Sequence, residues 1–117
     1  MCVLKVDYFD ELRFKSLKDG NVTTTVDFTI GISKEESVNL LNRIRSVILD
    51  ESFIMDKFGD KEINISYERD TLIIYVDEVR GEQSRPIGKF CYTAYMRGMG
   101  ILDGLQKAKR EIENQEY

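Results

Sequence analysis

Three alternating runs near the N-terminus predict β-strands. Residues 2–9 and 12–17 each alternate apolar and polar side chains, as half-buried strands do. Residues 22–32 form a longer alternating run that is rich in β-branched residues, the side chains that strands favour. Asp19 and Gly20 lie between the second and third runs and favour a tight hairpin turn. The first third of the chain is therefore predicted to form three strands.

A helix is predicted over residues 34–50. Ser33 and Glu36 have the Ser-x-x-Glu spacing of a capping box, in which the two residues satisfy free amides at a helix start. The helix is expected to bury one face against a sheet, because the apolar positions that follow share a helical stripe. These positions are Leu40, Leu41, Ile44, Val47 and Ile48.

The middle of the chain predicts a turn and then a hairpin. Residues 53–58 are rich in apolar side chains but have no clean period, so we expect a short turn that closes one end of the core. Residues 63–67 and 72–76 then alternate on either side of a polar Glu-Arg-Asp sequence. That arrangement is typical of a second hairpin.

The last third of the chain fits either a strand or a helix. Residues 89–96 alternate as a strand would, but ten apolar or small residues between Ile87 and Ile112 also fall within an arc of roughly 120° at 100° per residue. Pro86 suits a first helical turn. The angular argument favours one long amphipathic helix over residues 86–114.

These elements, in the order β-β-β-α-β-β-α, predict an α+β fold. We expect an antiparallel five-stranded sheet with two helices packed on one face, and the C-terminal helix is expected to be long. The length of 117 residues suits a single domain that covers residues 1–117.

Composition narrows the classes of function. The chain carries 17 basic and 21 acidic residues, and the net charge of −4 opposes binding to nucleic acid. It has no histidine, so a Ser-His-Asp or Cys-His catalytic group cannot form within it. The sequence motifs of phosphate-binding loops, dinucleotide-binding turns and EF-hands do not occur in it. We therefore expect a protein without enzymatic activity and without a cofactor.

The sequence also predicts a cytoplasmic protein. No apolar run is long enough to cross a membrane, and the first residues meet a charge at Lys5 without a long apolar core. Cys2 and Cys91 are the two cysteines, too few for a disulfide framework. We expect both as reduced thiols, with Cys91 buried on the apolar stripe of the long helix.

The first candidate site is an apolar flank of the predicted C-terminal helix. Aromatic, methionine and glycine residues lie there, off the stripe that faces the sheet, and such residues suit contact with a protein partner. A second copy of the chain is the simplest partner, which makes a homodimer or higher homo-oligomer the leading expectation. The alternative is that the first helix and residues 53–58 cover this flank within one monomer. The flank consists of Tyr92, Tyr95, Met96, Met99 and Gly100.

The second candidate site is a local excess of positive charge. Between Val79 and Leu102 the chain has four basic residues and one acid, Glu82, although its overall charge is negative. A basic loop before a helix start favours an anion, and nearby tyrosines could stack on a ring, so the segment over residues 80–89 could hold a nucleotide-like ligand. The alternative is a solvated loop whose arginines pair with nearby acids. The four basic residues are Arg80, Arg85, Lys89 and Arg97.

Three functions follow from these candidates. The leading one is a small acidic interaction protein that self-associates and acts by occupying a partner, a role typical of inhibitor, immunity and adaptor proteins, including accessory proteins of mobile elements. The second is a binder of a small anionic nucleotide-like ligand. The third is a metal-dependent hydrolase, and its candidate ligands are the clustered acids Asp7, Asp10, Glu11, Asp77 and Glu78.

Overall fold

Seven strands and two helices build the fold. The computed structural model describes residues 2–18, 25–50, 52–69, 71–93 and 99–114. The elements follow one another as β1 (Cys2–Tyr8), β2 (Leu12–Lys18), β3 (Thr25–Ile30), α1 (Lys34–Asp50), β4 (Phe53–Phe58), β5 (Lys61–Glu68), β6 (Thr71–Arg80), β7 (Gln83–Thr93) and α2 (Met99–Glu113).

The first sheet confirms the three predicted N-terminal strands. Its order is β1-β2-β3, with antiparallel pairing throughout, and the tip of the predicted hairpin at Asp19 and Gly20 lies outside the described residues. Phe14 stands opposite both Val6 and Phe28. All three are buried, so the alternation in the sequence marks one inward face of this sheet.

Helix α1 begins and ends where the sequence predicts, at residues 34 and 50. Ser33 Oγ accepts a hydrogen bond from the Glu36 amide at 3.1 Å and donates one to the Glu36 carboxylate at 3.1 Å. The predicted cap therefore satisfies a free amide of the first turn. The five apolar residues of the predicted stripe are all buried.

The predicted single five-stranded sheet is wrong, although the α+β class and the antiparallel pairing are confirmed. The structure has two antiparallel sheets, of three and four strands, and the second has the order β4-β5-β6-β7. Residues 53–58, predicted to be a turn, form the edge strand β4. They pair with β5 along their whole length, so backbone pairing with a neighbouring strand stabilises an extended conformation that their own hydrophobic pattern does not predict.

The predicted long helix over residues 86–114 is also wrong. Residues 83–93 form strand β7, and α2 spans only 15 residues from Met99. Gly81 has a positive φ of 62° in the turn that joins β6 to β7, and glycine adopts this conformation without the usual steric cost. The long β6 backbone then pairs with residues 83–93 along its whole length, and this pairing outweighs the local helical pattern.

Three phenylalanines join the two sheets. Phe14 and Phe28 come from the first sheet and Phe90 from β7, with ring centroids between 5.6 and 6.2 Å apart. A Cβ atom built at Gly88 would lie 2.5 Å from the Phe28 ring, so the glycine leaves room for that ring to lie against the β7 backbone.

The helices complete one buried cluster that spans both sheets. Helix α1 packs against β4 and β5, whereas α2 packs against β1 and against α1. The predicted packing of both helices on one face of a single sheet is therefore wrong, because each helix covers a different sheet. Neither described helix is long and apolar enough to cross a membrane.

A lysine ties the turn between β4 and β5 to the segment before α1. Lys61 Nζ donates to the Asp60 carboxylate at 3.0 Å and to the Gly31 carbonyl at 3.2 Å. The hydrogen bond from Lys61 to Asp60 and the positive charge of Lys61 lower the pKa of the exposed Asp60 carboxyl below its ordinary value of 3.8.

Candidate functional site

One face of the four-stranded sheet lies away from the core and is largely apolar. Ile65 and Ile74 point inward and are fully buried, so the residues next to them in sequence point to the opposite face. Strand pairing places the outward residues of β6 beside those of β7, while Ser66 and Asn64 of β5 lie between them and the outward residues of β4. We call the following set the outer sheet face: Phe53, Met55, Ile73, Tyr75 and Cys91.

Large apolar side chains on this face are exposed. Phe53 is 62% exposed, Met55 54% and Tyr75 42%, and Ile73 beside them is half-buried. Single exposed apolar residues are common on protein surfaces, but several of them on one face of a regular sheet are typical of a contact surface. The outer sheet face is therefore the leading candidate for an interaction site.

Polar side chains separate the apolar residues of the outer sheet face, and Ser66 stands between Phe53 and Ile73. Asn64 stands between Met55 and Tyr75 in the strand register. Its Oδ1 atom is buried and accepts no hydrogen bond from the described residues, which is a costly state for an amide oxygen. Lys89 extends over the Tyr75 ring with its ammonium 5.2 Å from the ring centroid, as in a cation–π contact.

The predicted basic site maps to the hairpin of β6 and β7. Arg80 forms an ion pair with Glu78, and Arg85 stands opposite the same glutamate in the register. Lys89 lies farther along β7 against Tyr75, and Arg97 lies outside the described residues. The predicted loop before a helix start is wrong, because these residues lie on strands and in a hairpin turn.

The predicted apolar flank does not lie on one helix. Tyr92 is in β7, whereas Met99 and Gly100 begin α2. Tyr95 and Met96 lie outside the described residues. The prediction that all five share a helical flank is therefore wrong, and their contact with a partner stays a prediction.

Two further sequence predictions concern a cysteine and the clustered acids. Cys91 is exposed on the outer sheet face rather than buried, since it belongs to a strand and not to the predicted helix. Among the described residues, no three acids or cysteines come together in a group that could hold a metal ion. Glu78, one of the candidate ligands, is paired with Arg80.

A polar groove of about 500 Å³ lies between α1 and the edge strand β4. Arg43 on the helix contacts the Asp56 carboxylate at 3.2 Å, and the other oxygen of that carboxylate accepts the Lys57 amide at 2.8 Å. Asn39 and Asn42 line the helical wall. The groove therefore runs beside the free edge of the four-stranded sheet.

The sequence reasoning missed Phe53, Met55 and Tyr75 as surface residues. In β4 and β6, apolar side chains occupy both faces of the strand, and an alternation rule assigns only one face to each apolar residue. A sequence signal for them exists, because residues 53–55 and 72–76 are apolar runs that are too short for a helix and are bounded by polar residues. Such runs are typical of strands with apolar side chains on both faces. No family model matches the chain, and the searches of curated proteins and of solved structures give no match.

Proposed function

We propose that the chain is a non-enzymatic interaction protein that self-associates and acts by binding a protein partner through the outer sheet face. The observation that carries the proposal is the joint exposure of Phe53, Met55 and Tyr75 on one regular surface. Aromatic and methionine side chains are enriched in protein contacts because they supply large areas at low entropic cost.

The energetics of this face favour a partner. Full burial of a large apolar side chain contributes about 1.5–3 kcal/mol, so covering each half-exposed residue would contribute roughly 1 kcal/mol. Tyr75 lies near the middle of the sheet and is the natural anchor, because central aromatic residues dominate many interfaces.

The basic residues support this function better than they support binding of a small anion. Glu78 already pairs with Arg80 and faces Arg85. Residues 80–87 are exposed along the outer part of the hairpin, where an anion would stay in contact with water. Charges in such a setting contribute little binding energy and suit the polar rim of a protein interface.

Native mass spectrometry of the protein, purified without denaturation, tests self-association and ligand binding together. We expect an even oligomer without added mass. A monomer at all concentrations would contradict self-association. An added mass of the size of a nucleotide, lost in Arg85→Glu, would instead establish the anionic-ligand alternative.

A photo-crosslinking amino acid in place of Tyr75 tests the outer sheet face itself. In expressing cells we expect a discrete adduct with a protein, identified by mass spectrometry. The matched control places the same amino acid at Gln106, an exposed position on α2. Equal labelling at the two positions, or none at position 75, would refute the assignment of this face.

A further inference from the structure

Strand β4 is an edge whose backbone is open on one side. Among the described residues, β4 pairs with β5 alone, in the sheet order β4-β5-β6-β7. Phe58 stands opposite Lys61 across a two-residue turn, and the Ser52 carbonyl accepts the Tyr67 amide at 3.2 Å. Even-numbered residues of β4 therefore bond toward β5, and the amides and carbonyls of Phe53 and Met55 point to the free edge.

Among the described residues, charged side chains protect this edge against the addition of another strand at one of its two ends. The Lys57 amide, which also points to the free edge, already donates to the Asp56 carboxylate, and Arg43 holds that carboxylate in place. Charged residues of this kind discourage the addition of another strand. At the other end, Phe53, Ile54 and Met55 form an apolar stretch without such a guard.

The other edge strands in the described part of the chain are β1, β3 and β7. Helix α2 packs against β1, and β3 and β7 lie against each other. Strand β7 also contains Pro86, which cannot donate a hydrogen bond to an added strand. In β4, by contrast, the open backbone groups of Phe53 and Met55 lie on an exposed apolar stretch.

We propose that β4 pairs with β4 of a second copy, antiparallel about a two-fold axis at Ile54, to form one continuous eight-stranded sheet. The inference rests on the self-association proposed above. In this register, Phe53 faces Met55 of the second copy and the two Ile54 residues face each other. The pairs of Phe53 with Met55 exchange four backbone hydrogen bonds in all, because each pair uses both of its open amides and carbonyls.

The order of residues along β4 favours this register over the registers that are shifted toward Asp56. A shift that centres the axis on Met55 places Ile54 opposite Asp56, and a further shift places Asp56 opposite itself. Like charges directly opposite each other destabilise a strand pair. With the axis at Ile54, each apolar residue of the stretch meets an apolar residue, and Asp56 meets the exposed polar Ser52. Self-complementarity of this kind identifies a second copy as the occupant.

The pairing also extends the outer sheet face. Phe53 and Met55 lie on that face at the edge strand. Two copies joined through β4 bring these side chains together across the two-fold axis, so the apolar surfaces of both copies become one. The dimer would thereby present twice the contact area to a partner.

Disulfide cross-linking tests the register. In a Cys2→Ser, Cys91→Ser background, an equimolar mixture of Phe53→Cys and Met55→Cys chains should form a covalent dimer, since directly paired Cα atoms lie about 5.5 Å apart. Either chain alone should not, because its own cysteines would be two residues out of register and about 8 Å apart. Tyr75→Cys, on the middle of the outer sheet face, is the control for dimers that stack face to face.

A proline substitution tests the hydrogen bonds. Met55→Pro removes an amide that bonds to nothing in β5, so the fold should persist, while the dimer dissociation constant should rise at least about 30-fold in sedimentation equilibrium. Met55→Ala keeps the amide and is the matched control. The edge pairing would be overturned if a dimer forms without the disulfide between the Phe53→Cys and Met55→Cys chains, or if it cross-links through Tyr75→Cys. Self-association itself would stand in either case. A monomeric wild type would overturn both, and the cross-links decide the question if Met55→Pro fails to fold.

Discussion

Gly88→Ala tests the contact that joins the two sheets. The added Cβ would lie 2.5 Å from one carbon of the Phe28 ring and 3.3 Å from the next. Phe28 is buried, and Phe14 and Phe90 flank it with centroids 6.2 and 6.1 Å away. The ring therefore has little room to move, and one extra methyl group must displace a strand or a packed ring.

The expected loss of stability combines two opposing effects. Overpacking in a well-packed core costs about 1–3 kcal/mol. Replacing glycine by alanine in an ordinary strand conformation restores about 0.5–1 kcal/mol, because the unfolded chain loses conformational freedom. The difference between these two effects is about 0–2.5 kcal/mol, and the close contact at 2.5 Å favours a fall in the free energy of unfolding of about 1–2 kcal/mol. With a urea slope of about 2 kcal/mol per molar, the midpoint should fall by roughly 0.5–1 M.

Urea unfolding, followed by circular dichroism, measures this change. Gly31→Ala is the matched control, because its nearest neighbour to an added Cβ is a flexible Glu11 oxygen at 4.0 Å. That variant should equal or exceed the wild type in stability. A Gly88→Ala midpoint that matches the control would refute the close approach of Phe28. Phe28→Leu combined with Gly88→Ala should cost less than the sum of the two single changes, since the smaller side chain relieves the clash.

Three further predictions concern the helix cap, the core and the lysine contact. Ser33→Ala should lower the free energy of unfolding by about 1 kcal/mol through loss of the cap, whereas Ser46→Ala on the same helix should change it by less than about 0.5 kcal/mol, both by urea unfolding. Ile44→Ala removes a fully buried side chain from α1 and should cost about 2–5 kcal/mol in the same assay. The Asp60 carboxyl should titrate below 3.8 by NMR and return toward that value in Lys61→Met. Because the folded pKa is the lower one, the stabilising contact is present above pH 3.8 and is lost as the pH falls through the folded pKa; an unchanged titration in the variant would contradict this cause.

The hydrophobic pattern of the sequence correctly predicts those helices and strands that bury one face in the core and expose the other. Helix α1 has a cap and a single apolar stripe, and the strands β1, β2 and β3 alternate, so each could be located from its own residues. The hairpin of β5 and β6 was predicted over residues 63–67 and 72–76, and the observed strands extend each run at both ends. These segments agree with their tertiary setting, which is why local reasoning succeeds there.

The errors have a different physical origin. Strand β4 carries apolar residues on both faces, so its period is hidden, and β7 takes its conformation from pairing with β6 rather than from its own pattern. The angular argument for a helix over residues 86–114 counted apolar positions but gave no weight to the turn at Gly81. Strand β4 contributes Phe53 and Met55 to the outer sheet face and β7 contributes Cys91, so part of the candidate site lies on the strands whose prediction failed.

The packing of α2 against β1 has a consequence for how the protein is made. Strand β1 leaves the ribosome well before α2, the helix that packs against it and ends at Glu113. At ordinary rates of translation, β1 is exposed for roughly 5–20 s before α2 is synthesised. Nascent chains therefore hold an uncovered strand during synthesis. Chaperone binding to stalled ribosome complexes should fall sharply once the last helix has emerged.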